Sequence, residues 1–364
     1  MNETTQIIGS NIEGSDHKKS PIKSFLLIFP FIGLLTVLYG EVWTASSMLW
    51  FLDPSIVIVF PLTVIPFYAA HLYFYFNLAV RTRRTSIPQL YLWGTLFGLY
   101  EAPITKVIWG SVIGESGAIV IGGIVISEYI MLVFFWHPIF SFITPILVFE
   151  IFALNSAKND SEVVFSNHIS FLNISSTKSK IWLLGLTIVG SLFLIGTSAT
   201  MAIFALITLL INISLVMLFY LIVRKIYPLF KGRTFSVGSL KFTNRGFILL
   251  CLFMLFIYVI DWFLFSPEHI PIDPVPIIGI VVSYCLILTL IFLTKPQDPK
   301  LIYAENHLKL KHLFIHWFMT IGLIILYISI LGIAIILFFL LYFGILVFAP
   351  ILFGYMILKA FRTG

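Results

Sequence analysis

Apolar residues run along this chain in long unbroken blocks, and polar residues fall between the blocks instead of alternating within them. A helix needs about 20 mostly apolar residues to cross a bilayer. Hydrocarbon also requires each crossing segment to satisfy its own backbone hydrogen bonds, which a helix does. A membrane β-barrel would instead read as alternating segments of about ten residues. The pattern predicts about ten spans, at 24–40, 55–80, 89–113, 117–155, 181–198, 200–223, 246–265, 275–294, 312–335 and 337–358. The expected fold is all-α, a polytopic transmembrane helical bundle.

Polar stretches divide the chain into a tail at 1–23, a first transmembrane half at 24–155, a connector at 156–180 and a second, mainly apolar half at 181–364. The tail ends in Lys18, Lys19 and Lys23 and has no early apolar core, so the first span reads as an uncleaved anchor. Lys and Arg mark cytoplasmic loops. They cluster at Arg81, Arg83 and Arg84, at Arg224 to Arg245, at Lys295 to Lys311, and at Lys359 and Arg362. The segment 266–273 has two acids and no Lys or Arg, which fits the opposite side. These assignments agree, with both termini cytoplasmic, if 117–155 crosses an odd number of times. One crossing plus a broken or re-entrant piece at His137-Pro138 is the expectation. The location that follows is the cell membrane, multi-pass.

Composition reinforces the pattern. Of 364 residues, 60% are hydrophobic and 10% charged, whereas a soluble domain carries about 25% charged residues. Soluble enzymes, disordered chains and nucleic-acid binders are poor fits, and the net charge of +6 is accounted for by loop topology. Cys251 and Cys285 sit singly in apolar runs and form no disulfide framework. With no HExxH and no Cys/His pair at ligand spacing, no metal or cofactor is expected.

The remaining chemistry lies in ionisable residues within the apolar blocks. Each costs about 2.5–3.5 kcal/mol at mid-bilayer unless paired, neutral or hydrated. Glu41, Asp53, His71, Glu101, Lys106, Glu128, His137 and Glu150 fall in the first half, against Asp261 and His316 in the second. This asymmetry suggests that 41–150 build a polar cavity supported by the later helices. Glu41, Asp53 and Glu150 also fit helix ends, Asp53-Pro54 reading as a helix start. Glu101 and Lys106 lie five residues apart, about 140° around a regular helix, so only distortion at Pro103 brings Lys106 toward Glu101 or another helix. Glu128 and His137 converge only if the helix breaks at Pro138. His71, among Tyr68, Tyr73 and Tyr75, fits an interfacial aromatic belt or a ligand contact.

The segment Glu101-Ala102-Pro103-Ile104-Thr105-Lys106 resembles the EExxxR motif of the CAAX-protease and bacteriocin-processing family of intramembrane enzymes. His137 falls where that family carries the histidine of FxxxH. The resemblance implies an all-helical fold in which Glu101, as the first glutamate, and His137 activate a water for peptide hydrolysis, with Lys106 in the place of the arginine. Ala102 replaces the second glutamate, Phe134 stands three residues before His137, and no HxxxN follows in a suitable span. Loss of the second glutamate points to a non-catalytic relative. Gly40-Glu41-Val42 and Tyr100-Glu101 are also similar to a group of uncharacterised prokaryotic membrane proteins.

Three functions follow as expectations. The first is an intramembrane network of Glu101, Lys106, Glu128, His137 and His71 that binds a lipid, small molecule or partner helix. The second is a hydrolase with Glu101 and His137 catalytic. The third is a proton-coupled transporter. The bilayer is the partner common to all three.

Overall fold

The structure is a computed structural model that describes residues 21–46, 59–109, 119–157, 162–265, 267–298 and 300–362. Most of the polar tail and the expected helix start at Asp53-Pro54 lie outside these residues. Among the described residues ten long or medium helices follow one another: α1 Pro21–Val37, α2 Val59–Arg81, α3 Ile87–Gly98, α4 Ile126–Ser156, α5 Thr177–Ser198, α6 Ala202–Lys231, α7 Asn244–Ile260, α8 Pro274–Leu293, α9 Leu310–Ser329 and α10 Leu331–Arg362. Among the described residues, seven helical stretches are long and apolar enough to cross a membrane. The protein is an all-helical polytopic membrane bundle.

The bundle has an inside and an outside. In α4, 83% of the most apolar window is buried, against 11% in α7. Leu249, Leu252, Leu255 and Phe256 of α7 are all more than half exposed. A helix that turns large apolar side chains outward on this scale is solvated by lipid.

Two spans differ from expectation. The expected span 89–113 ends as a helix at Gly98, tightens to a 3₁₀ turn over Leu99–Glu101, and then becomes a string of turns. Pro103 has no N–H to continue the ladder and its ring crowds the preceding turn. The 12 residues of α3 reach about 18 Å, well short of a hydrocarbon core of about 30 Å. The second difference is α4, which runs unbroken through Pro138, where a break was expected. Its hydrogen bonding is wide over Tyr129–Ile143. The Tyr91 hydroxyl donates to the Phe134 carbonyl, about one turn before Pro138, and ties α3 to α4 there.

Glycines set how closely the first four helices approach. A Cβ on Gly33 of α1 would lie 2.8 Å from the Ile65 carbonyl oxygen of α2. On α3, a Cβ on Gly94 would lie 2.6 Å from Pro138 Cα, and one on Gly98 would lie 3.0 Å from Val133 Cα. Gly94 and Gly98 form a GxxxG pair, which lets membrane helices pack backbone to backbone.

The loops at one end of the bundle are laced together. Val164–Phe165 of the 156–180 connector pair antiparallel with Leu301–Ile302. Val237 N donates to Val163 O at 2.9 Å, and Gln297 N to Arg83 O at 2.6 Å. Arg84 ends α8 by donating to the Ile291 and Phe292 carbonyls at 2.8 and 2.9 Å. Wholly buried among these loops, His168 Nδ1 meets Glu150 Oε2 at 2.8 Å and Nε2 meets the Thr85 carbonyl at 2.8 Å. Both partners are acceptors, so the ring is fully satisfied only as an imidazolium. Burial lowers the His168 pKa, but the Glu150 carboxylate and the bond to Thr85 outweigh it and leave a net rise.

Candidate functional site

The site is built where α3 stops. Because Gly98 lies flat on α4, the next turn carries Tyr100 and Glu101 across the face of His137. Glu101 Oε1 lies 2.7 Å from His137 Nε2, both side chains buried. A carboxylate accepts, so this contact fixes the imidazole proton on Nε2. His137 Nδ1 lies 2.9 Å from Ser141 Oγ, one turn along α4. Glu101 Oε2 is taken by the Thr105 hydroxyl.

A second carboxylate enters from the end of α1. There Leu38–Val42 widens into a π turn. A Cβ on Gly40 would lie 2.6 Å from Ser141 Oγ, so only glycine lets the turn rest on α4. Trp136 Nε1 donates to the Gly40 carbonyl at 2.8 Å. The next residue, Glu41, accepts from the Tyr68 hydroxyl of α2. Tyr68 and Tyr100 hydroxyls are 2.5 Å apart. Glu41, Tyr68, Tyr100, Glu101, His137 and Ser141 thus form one polar seam through four segments.

On its membrane side the seam borders a cavity of about 500 Å³. Glu41, Thr63, Tyr68, Tyr100, Thr105 and Asp261 are its polar lining. Val64, Phe67, Ile104, Ile257 and Ile260 make its apolar walls. Leu62 and Phe256, 71% and 59% exposed, stand at its mouth between α2 and α7. Ligand pockets run about 300–1,000 Å³ and combine mostly apolar walls with a few placed polar groups.

The residues expected from sequence divide. Glu101 and His137 come together directly. Lys106, in a left-handed backbone conformation at φ +61°, points to Asp261, with Nζ 3.7 Å from Oδ2, and not to Glu101. His71 lies beside the seam, its Nδ1 donating to the Phe67 carbonyl at 2.9 Å and its Nε2 accepting from Tyr258 at 3.1 Å. Glu128 takes no part. Because α4 does not break, Glu128 remains apart from His137 and instead accepts from the Tyr342 hydroxyl of α10 at 3.4 Å. Among the described residues, no three His, Cys, Asp or Glu side chains gather as a metal site.

The sequence pattern left Tyr68, Tyr100, Thr105 and Ser141 out of the network, and offered Glu41 both to a polar cavity and to a helix end. The Gly94/Gly98 spacing and the adjacency of Tyr100 to Glu101 were the available signals for part of it.

The profile of an uncharacterised membrane protein family matches residues 31–362, which include the whole seam and the cavity. The chain belongs to that family. A protein of Archaeoglobus fulgidus, described as "Uncharacterized protein", is 39% identical over 124 residues. That match spans about a third of each chain, 33% of this one and 36% of the relative. No solved structure matches this chain. Family membership and the outward apolar helices together give a membrane location.

Proposed function

We infer that this protein binds an amphiphile, a lipid or a lipid-like small molecule, in the cavity between α2, α7 and the turn after α3. The observation that carries the reading is the cavity's two-ended chemistry. Its walls are apolar, its mouth lies among exposed apolar side chains, and its lining also holds two carboxylates and the hydroxyls of Tyr68, Tyr100 and Thr105. An apolar chain gains about 25 cal/mol for each Å² withdrawn from water. A polar head against these polar groups would find hydrogen-bond partners that lipid alone does not supply.

The test is native mass spectrometry of protein extracted from its own membranes. The reading expects a bound mass in the unaltered protein, lost in Ile257→Trp, which fills the wall. An identical spectrum for both proteins contradicts it. The reading also puts the laced, Arg-rich end at the cytoplasmic face of the cell membrane, where basic loops are retained.

A divergent hydrolase related to the CAAX-protease family is the second reading, and the 2.7 Å Glu101–His137 bond favours it. Both carboxylate oxygens of Glu101 are already engaged, however, and Lys106 faces away. The amphiphile reading uses the cavity as it stands and needs no rearrangement of Glu101.

A further inference from the structure

The hydrogen bonds of the cavity's polar lining decide what kind of head it receives. Tyr68 donates to Glu41. Tyr100 shares its hydrogen with Tyr68 or with Glu101 beside it. Thr105 donates back to Glu101, whose carbonyl is 2.9 Å away. All three hydroxyl hydrogens are committed inward, and what these oxygens still offer the cavity is lone pairs. Thr63, also in the lining, is exposed.

The nearest cation among the described residues, Lys106, offsets part of the charge of Asp261 and leaves Glu41 and the hydroxyl oxygens as acceptors. The Lys106 side chain is completely buried and is ion-paired with Asp261. At 3.7 Å it is an ion-pair contact, too long for a hydrogen bond. Asp261 Oδ2 is a buried oxygen that lacks a hydrogen-bond donor among the described residues. Glu41 and Asp261, two acids from different segments, thus line one cavity, whose described lining does not include Lys106.

A buried acceptor without a donor costs about 1–3 kcal/mol, so a bound head that donates gains what one that only accepts loses. A carboxylate head would add like charge beside Glu41 and Asp261, at a distance where burial strengthens repulsion. Resting on the amphiphile reading above, we propose that the cavity selects an amphiphile with a primary ammonium head and excludes the carboxylate-headed equivalent. The ammonium brings three donors to this set of acceptors. Two sources carry this chemistry: a free long-chain amine and the ethanolamine headgroup of a phospholipid.

The experiment uses the full chain in phosphatidylcholine nanodiscs, with thermal unfolding followed against dodecylamine, dodecanol and dodecanoate at matched membrane fractions. A parallel nanodisc contains phosphatidylethanolamine. The proposal expects a saturable rise in Tm with dodecylamine, or with phosphatidylethanolamine, and none with dodecanoate; which amine acts identifies the source. Glu41→Gln should weaken amine binding by about tenfold or more, the scale of one charged hydrogen bond, and leave dodecanol nearly unchanged. Asp261→Asn provides the same comparison if Glu41→Gln fails to fold. Equal binding of dodecanoate and dodecylamine, or amine binding unaltered in the folded variant, overturns the proposal and leaves the amphiphile reading intact. A Tm that no amphiphile moves overturns both.

Discussion

Glu101 has two carboxylate oxygens and both are engaged, one by His137 and one by Thr105. That makes it the most demanding residue of the seam. His137→Ala should cost about 3–5 kcal/mol, because it leaves a buried carboxylate without its partner. Glu101→Gln keeps an acceptor for Nε2 and should cost less, about 1.5–3 kcal/mol. Chemical unfolding in detergent gives both values, and equal losses would mean that the charge is immaterial. His168 supplies a pH test outside the spans. Its folded pKa lies above the unfolded value of about 6.5. The Glu150–His168 contact therefore stabilises in full below about pH 6.5 and is lost as pH rises through the higher folded value. Unfolding temperature should decline over that alkaline-side window in the native protein, and His168→Gln should flatten the decline. A native profile no steeper than the variant's would count against the imidazolium. At this scale the sequence named the acids and bases and brought Glu101 together with His137, but did not name the partners of Lys106 or Glu128. Nothing in the spacing told Lys106 to turn toward Asp261, because that depends on a left-handed turn and on where α7 ends.

Helix α3 decides the site at the next scale. Its GxxxG face seats it on α4, and Pro103 stops it with Tyr100 and Glu101 hanging over His137. Gly94→Ala pushes a methyl against the Pro138 backbone and should cost about 1–3 kcal/mol. Gly344→Ala on α10 meets nothing within 4 Å and should be neutral or stabilising by up to about 1 kcal/mol. Thermal unfolding of the two variants checks the contrast, and similar behaviour would mean that the α3–α4 contact is loose. Most helices were legible because apolar block length is a strong signal. The two misread segments both contain proline. At Pro103 the helix ended early; at Pro138 it ran on with wide hydrogen bonding, tied to α3 by the Tyr91 hydroxyl. Proline in a membrane helix signals a local problem, and tertiary context decides the solution.

The whole molecule sorts its chemistry by burial. The polar seam lies among α1 to α4, while α7 to α10 turn apolar faces outward. The asymmetry of acids and bases between halves was readable from sequence, but the cavity was not, since it needs α7 from the second half to close it. The laced end offers a topology test. In a background lacking Cys251 and Cys285, exposed Lys241→Cys should react with a membrane-impermeant maleimide only after cells are opened. Labelling of intact cells would invert the assignment. The most direct measurement of the central claim is a density map of the full chain in a lipid nanodisc, inspected between Leu62, Phe256 and the Tyr68–Tyr100 pair. The account predicts an elongated density in this space with its polar end against Glu41 and Asp261. A cavity collapsed shut, with Phe253 and Phe256 folded into it and no bound molecule, would contradict it.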